Sequence, residues 1–300
     1  MPNAHPASKN TILLTMMPAV FVFLWSTGFI GAKLGLPYIE PMTFLAVRFG
    51  ICVLLFLPLV TLTRTRWPDR WQDWGHIGFA GLLMHGGYLG FVFWSIGLGV
   101  PAGTSALIVG IQPLIVGAMA GILLSEKVSR IQWAGLLFGL LGVFLVVAEK
   151  LSLGEGSVFA IGLSFLALLS ISFGTLYQKK YCSGMSLKSG NFIQFIVATA
   201  YFVGMSFLME DRIIVWSGEL VFALAWLVFV LSLGAVSLLY ILLRNGAAAN
   251  VSSLFYLVPP CTAVVAFLLF DERLAFVSLL GMGITIVGVA LVNIKPRTAS

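Results

Sequence analysis

A chain of 300 residues that is 60% hydrophobic and only 9% charged has too few polar side chains to coat a soluble globule. With a mean hydropathy of +1.05, most of its surface must face lipid. The formal charge of +6 reports topology rather than nucleic-acid binding, because its placement is one-sided. Cys52, Cys182 and Cys261 are scattered without paired or His-rich spacing, so no metal, cofactor or disulfide framework is expected.

A helix crossing about 30 Å of hydrocarbon needs roughly 20 apolar residues. Apolar runs broken at charges, Pro or Gly predict ten helices, over 12–33, 41–62, 74–98, 102–124, 131–148, 157–178, 189–209, 219–243, 247–270 and 274–294. The runs are continuous rather than alternating, which argues against strands. Helix 1 carries Trp25 and is followed by Lys33-Leu34-Gly35-Leu36-Pro37 rather than a small-residue cleavage site, so it is expected to stay in the protein. Helix 2 carries Arg48, about 9 Å from its nearer end. A guanidinium there could bind a carboxylate bidentately, or it could snorkel to the interface or cap neighbouring carbonyls. Helix 3 carries His85, about 15 Å deep, with Tyr88 at i+3 on the same face. The imidazole could hydrogen-bond a solute or couple to protons; packing against a neighbouring carbonyl is the alternative.

In helix 4, Ser105, Ile108 and Gln112 share a face and Pro113 follows. In helix 9, Ser252, Tyr256 and Pro259 make the corresponding stripe. Each proline frees a carbonyl and kinks its helix, as a gating hinge or as ordinary packing. Helix 5 aligns Gly135, Gly139 and Gly142, and helix 10 aligns Gly281, Thr285 and Gly288; small residues on one face allow close helix approach. The partner is either in the same chain or in a second copy, so a homodimer through this face is one expectation. No Asp or Glu lies deep in any helix, which disfavours proton-exchanged cationic drugs and favours neutral or zwitterionic metabolites. No P-loop, GxSxG or HExxH supports ATP hydrolysis or hydrolase chemistry, and an enzyme is not expected.

With ten helices, alternate loops share a side. One side holds Lys9, Arg64, Arg66, Arg70, Lys127, Arg130, Lys179, Lys180, Lys188, Arg244, Lys295 and Arg297; the other holds Lys33, Lys150, Arg212 and Arg273. Twelve against four predicts a multi-pass protein of the cell membrane (the inner membrane, if the source is bacterial) with cytoplasmic tails at 1–11 and 295–300. The acidic residues Glu40, Glu149, Glu155, Glu210, Asp211, Glu219, Asp271 and Glu272 lean to the other side.

Shifting the chain by 146 residues brings its halves into register. Leu123-Leu124-Ser125-Glu126-Lys127 falls on Leu269-Phe270-Asp271-Glu272-Arg273, Pro113 on Pro259, and Gly135 and Gly142 on Gly281 and Gly288. Ser26, Gly28 and Lys33 fall on Ser172, Gly174 and Lys179, Phe49 on Phe195, and Trp94 on Tyr240. The repeats span 12–148 and 157–294. Each contains five helices, an odd number, so the second enters the membrane from the opposite side. The fold class is therefore all-α integral membrane, ten transmembrane helices as two inverted five-helix repeats. Two such halves can rock about a midplane site, as alternating access requires.

The block with a Pro, then Leu-Leu-Ser-Glu-Lys, then a Gly-rich last helix resembles the EamA-type repeat of the drug/metabolite transporter superfamily. Trp25-Ser26-Thr27-Gly28-Phe29 and Arg48-Phe49 look like that repeat's opening. The resemblance implies a central cavity lined mainly by helices 1, 3, 4, 6, 8 and 9, with 5 and 10 outside it. It also implies a secondary transporter of a small solute. Export of an amino acid or similar metabolite is the expected function, with import of a vitamin-like or nucleoside-like aromatic compound as the alternative and a lipid-acting membrane enzyme disfavoured. The candidate cavity residues are His85, Tyr88, Trp94, Gln112, Trp25, Tyr240 and Tyr256. Aromatic stacking on a planar solute competes there with plain core or interfacial packing.

Overall fold

The structure is a computed structural model describing residues 9–100, 102–147, 158–270 and 276–294. Glu149, Lys150, Glu155, Asp271, Glu272, Arg273, Lys295 and Arg297 lie outside the described residues. The helices are α1 (Lys9–Ser26, resumed after Thr27 as Gly28–Gly35), α2 (Pro41–Leu62), α3 (Trp71–Gly97), α4 (Ala102–Val109 and Gln112–Leu124) and α5 (Arg130–Val147). The second half follows as α6 (Val158–Cys182), α7 (Leu187–Met209), α8 (Gly218–Asn245), α9 (Ala248–Ser253, Leu254–Leu257 and Val258–Phe270) and α10 (Phe276–Asn293). Among the described residues, seven helical spans are long and apolar enough to cross a membrane. Their outer faces present Leu54, Ile122, Phe207 and Phe222, the surface that hydrocarbon demands. The chain is a multi-pass membrane protein.

Local chemistry explains the helix ends. Pro41 opens α2, where its missing N–H costs nothing. The free amides of Met42 and Thr43 donate to the Glu210 carboxylate at 2.6 and 2.7 Å. Ser129 and Gln132 form a reciprocal capping box at the start of α5. Ser125 takes a left-handed conformation (φ 57°) after α4, and the next amide, Glu126 N–H, bonds back to Ala120 O.

Two sets of loops define the ends of the bundle. At one end Lys188 reaches Thr63, Ser189 donates to Arg66 O, and Arg244 donates to Met185 O. The opposite end is tied by an antiparallel bridge between Ile39 and Ile214 and by the Glu40 carboxylate on Ile213 N. Thus α6 finishes at the Lys/Arg-rich end, whereas its counterpart α1 finishes at the other. The halves are inverted in space as well as in sequence.

The pseudo-symmetry extends to irregularities. The helix of α3 widens into a π-helical stretch at Leu82–Gly87, and α8 does so at Leu227–Ala235. Shifted by the repeat offset, the first falls inside the second. Both α4 and α9 are interrupted just before Pro113 and Pro259, which sit at the start of fresh helical segments. Phe49 and Phe195 meet with ring centroids 5.7 Å apart.

The glycine faces of α5 and α10 close on each other within one chain. A Cβ on Gly135 would stand 2.6 Å from Gly288 O, and one on Gly281 2.7 Å from Gly142 O. The expected homodimer through this face is thereby corrected: backbone-to-backbone approach inside the chain already buries these glycines.

Candidate functional site

A cavity of about 40 Å³, the scale of a few water molecules, lies where α1, α2, α3 and α8 meet. Its polar wall is Trp25, Arg48, His85 and Tyr88; Leu89, Val92, Phe93, Leu231 and Val236 make the rest apolar. Gly81 and Gly87 explain how α3 delivers His85 and Tyr88. Added side chains there would collide with Gln194 and Ser170, so α3 can lie directly on α7 and α6. The π-helical stretch between them then re-aims the following residues, a distortion that recurs at functional sites.

Arg48 is 2% exposed. Its Nε donates to Ser232 Oγ at 3.1 Å, and its guanidinium lies 5.3 Å from the Phe49 ring centroid. Ser232 belongs to the π-helical stretch of α8. Helix 2 therefore enters the wall through this one side chain, although the family resemblance did not place it among the cavity helices. His85 lies between Phe49 and Phe195, with ring centroids 5.1 and 5.6 Å away. Its Nε2 is 3.4 Å from Tyr240 Oη, which donates to Gln194 Oε1 at 2.5 Å. Gln194 in turn donates to Gln178 Oε1 at 2.9 Å, so a polar chain runs from the cavity toward the basic end.

The structure thus gathers Trp25, Arg48, His85 and Tyr88 on one wall, with Tyr240 behind it. Trp25 packs edge-on to Phe255 at 5.2 Å. Trp94 sits elsewhere, against Phe159. Gln112 is buried and donates to Thr175 Oγ1 at 3.2 Å, while its Oε1 has no partner among the described residues. Tyr256 is fully buried against Gly139, its hydroxyl likewise unpartnered among them. Pro113 and Pro259 mark the helix breaks already described. Sequence reasoning missed Ser232 and Gln178. The repeat offset carries Arg48 onto Gln194.

It also passed over a cluster at the basic end. Glu126, after α4, accepts from Ala248 N at 2.8 Å and pairs with Lys179 Nζ at 2.6 Å. Lys179 also donates to Gly246 O. The cluster joins the first repeat to α6 and to the α8–α9 turn, over a buried patch of Val116, Ala120, Leu176 and Ala248. Glu126 serves the first amide of α9. The cross-repeat partner was not foreseen. Beside this cluster a second, larger cavity of about 490 Å³ opens between α1, α8, α9 and α10, lined among others by Pro18, Gly246, Ala247 and Asn250. It shares no lining residue with the first.

Comparison with known proteins locates this architecture. The model of the EamA-like transporter family matches residues 10–148 and again 158–294. The uncharacterized transporter YvbV of Bacillus subtilis strain 168 is 25% identical over 297 residues, covering 97% of this chain and 94% of the relative. A protein of Escherichia coli K12 named probable amino-acid metabolite efflux pump is 24% identical, over 91% of this chain and 92% of its own length. The uncharacterized inner membrane transporter YedA of the same strain is 23% identical, over 94% and 92%. A solved crystal structure superposes with a TM-score of 0.77 at 19% identity, over 93% of this chain and 96% of that one.

Proposed function

Because the chain belongs to the EamA-like transporter family and is a transporter rather than an enzyme, we propose that it exports an amino acid or similar small zwitterionic metabolite by alternating access. The observation that carries this reading is the buried polar wall of Trp25, Arg48, His85 and Tyr88 between two inverted halves. A polar group inside hydrocarbon is costly unless it serves a solute or a partner. Among the described residues no Asp or Glu lines this wall, which suits a neutral or zwitterionic solute better than a cation. The printed name of the Escherichia coli relative points the same way.

Three features support alternating access. The central cavity is too small for such a solute, so the halves must part before one can bind there. The Glu126–Lys179 cluster joins the two repeats at one end, as a releasable latch would. The breaks before Pro113 and Pro259 supply equivalent bending points in α4 and α9. The one-sided basic charge supports a cytoplasmic placement of that end and of both tails, in the inner membrane if the source is bacterial.

The test is flux. Cells overproducing the protein should release one or more amino acids into the medium faster than cells carrying an empty vector. Vesicles loaded with the same compounds should empty faster when the protein is present. Uptake of a vitamin-like aromatic compound, with no efflux of any amino acid, would reject export in favour of import.

A further inference from the structure

Among the described residues, Arg48 is a buried cation with an incomplete set of partners. Of its five N–H donors, Nε–H is bound to Ser232; among the described residues no carboxylate pairs with it and no acceptor meets its terminal Nη groups. The residue lines the central cavity while only 2% exposed. A purely structural arginine at this depth would complete its hydrogen bonds with carbonyls or a carboxylate, because an uncompensated charge in low dielectric is strongly unfavourable. A snorkelling arginine would reach the headgroups. Arg48 does neither. Its guanidinium is held at one nitrogen by Ser232 and braced against Phe49, leaving the terminal fork toward the cavity.

We infer that this fork is the anion-binding element of the solute site. It takes the carboxylate of a small acid whose apolar remainder lies against Leu89, Val92, Phe93 and Val236. Carboxylate geometry matches the guanidinium fork bidentately, and the pairing neutralises the one charge on the wall. Tyr88 and Trp25, on the same wall and hydrogen-bonded to each other, leave the Tyr88 O–H and two aromatic faces, the last suited to an ammonium where the acid is an amino acid. This inference rests on the transporter reading above and narrows it to carboxylates.

The test uses the full-length protein purified in detergent, with glycine, L-alanine, L-valine and L-leucine as probes beside their four carboxamides. Binding is read from thermal stabilisation and calorimetry. At least one acid should bind, and its amide should bind about 30-fold more weakly or not at all. Arg48→Gln should erase the acid–amide difference. Arg48→Lys, keeping charge without the fork, should retain part of it, and Ser232→Ala should weaken acid binding without abolishing it. The wild-type acid–amide comparison needs no variant to fold. Equal binding of acid and amide, binding of none of the four acids, or an acid preference unchanged in Arg48→Gln would each overturn the inference. Arg48-dependent acid binding without efflux from loaded vesicles would sink the export reading while leaving this site standing. Efflux that ignores the carboxylate would do the reverse.

Discussion

If the Glu126–Lys179 cluster holds the basic end closed, neutralising either partner should raise the population of conformers open at that end. The magnitude follows from the geometry. A hydrogen bond to a charged group contributes about 1.5–3 kcal/mol when covered, whereas exposed ion pairs contribute up to about 1 kcal/mol. The two side chains are 17% and 21% exposed, and Glu126 also serves Ala248 N. A working value of about 1–2 kcal/mol corresponds to a factor of about 5–30 in population. Ala120 reports it well: it is fully buried under the cluster with Leu176 and Ala248. In an Ala120→Cys protein, alkylation by N-ethylmaleimide, resolved by mass spectrometry, proceeds through opened conformers and tracks their population when reclosing is fast. Glu126→Gln should accelerate it by about 5–30-fold, and Lys179→Met by a similar factor. The double variant should add little, since one interaction is lost only once. Rates within about two-fold of the parent, or single effects that multiply in the double variant, would refute the latch.

Other expectations are as direct. Cysteines at Gly184 and Gly218, where an added Cβ meets nothing within 4 Å, should label from opposite sides of the membrane, Gly184 from the cytoplasm; labelling from one side would contradict the inverted arrangement. Gly139→Leu drives a side chain into the Tyr256 ring beside the α10 backbone, and overpacking of this kind costs about 1–3 kcal/mol. The melting temperature should fall while solute preference is unchanged; an unaltered melting temperature would mean the contact is not tight. His85→Gln keeps a hydrogen-bonding side chain near Tyr240 but cannot carry a proton. If a pH gradient drives accumulation in wild-type vesicles, the variant should retain only downhill flux. Undiminished accumulation would place proton coupling elsewhere.

Much of the fold was legible because lipid leaves few choices. Continuous apolar runs of about 20 residues become helices when every backbone group must be satisfied internally, and the offset of 146 residues exposed the inversion. Helix ends were less legible. Lys179 and Lys180 interrupt the apolar run, yet α6 continues to Cys182, because basic residues are favourable in a last turn. The partner of the glycine faces was not legible at all. A small-residue stripe states that something approaches closely, and only three-dimensional closure identifies α10.

The candidate site was half legible for a related reason. His85, Tyr88 and Trp25 stood out as polar or aromatic residues in apolar helices, and they share a wall. Arg48 stood out as well, but its depth along α2 could not show which way the side chain turns. That depends on Ser232, a serine unremarkable in sequence until the π-helical stretch of α8 brings it within 3.1 Å of Nε. Trp94 matches Tyr240 in register, yet it meets Phe159 while Tyr240 meets His85. Equivalent positions in inverted repeats share a backbone environment without sharing a neighbour.

That distinction runs through the whole molecule. The features that recur across the offset are mechanical: the π-helical stretches, the breaks before Pro113 and Pro259, the glycine faces and the pair Phe49–Phe195. Halves that exchange conformations in a cycle need matching hinges and matching sliding surfaces. The chemical features do not recur. Arg48 falls on Gln194 and His85 on Leu231, so charge and imidazole occur once. Duplicating the arginine would set a second guanidinium in the same core, where an unpaired charge is strongly destabilising. It would also offer a carboxylate two competing places. Gln194 instead accepts from Tyr240 and donates to Gln178, completing its bonds within the protein. On the reading proposed above, the symmetric parts serve motion and the asymmetric parts recognition, with the Arg48 fork, unpaired among the described residues, as the proposed solute contact.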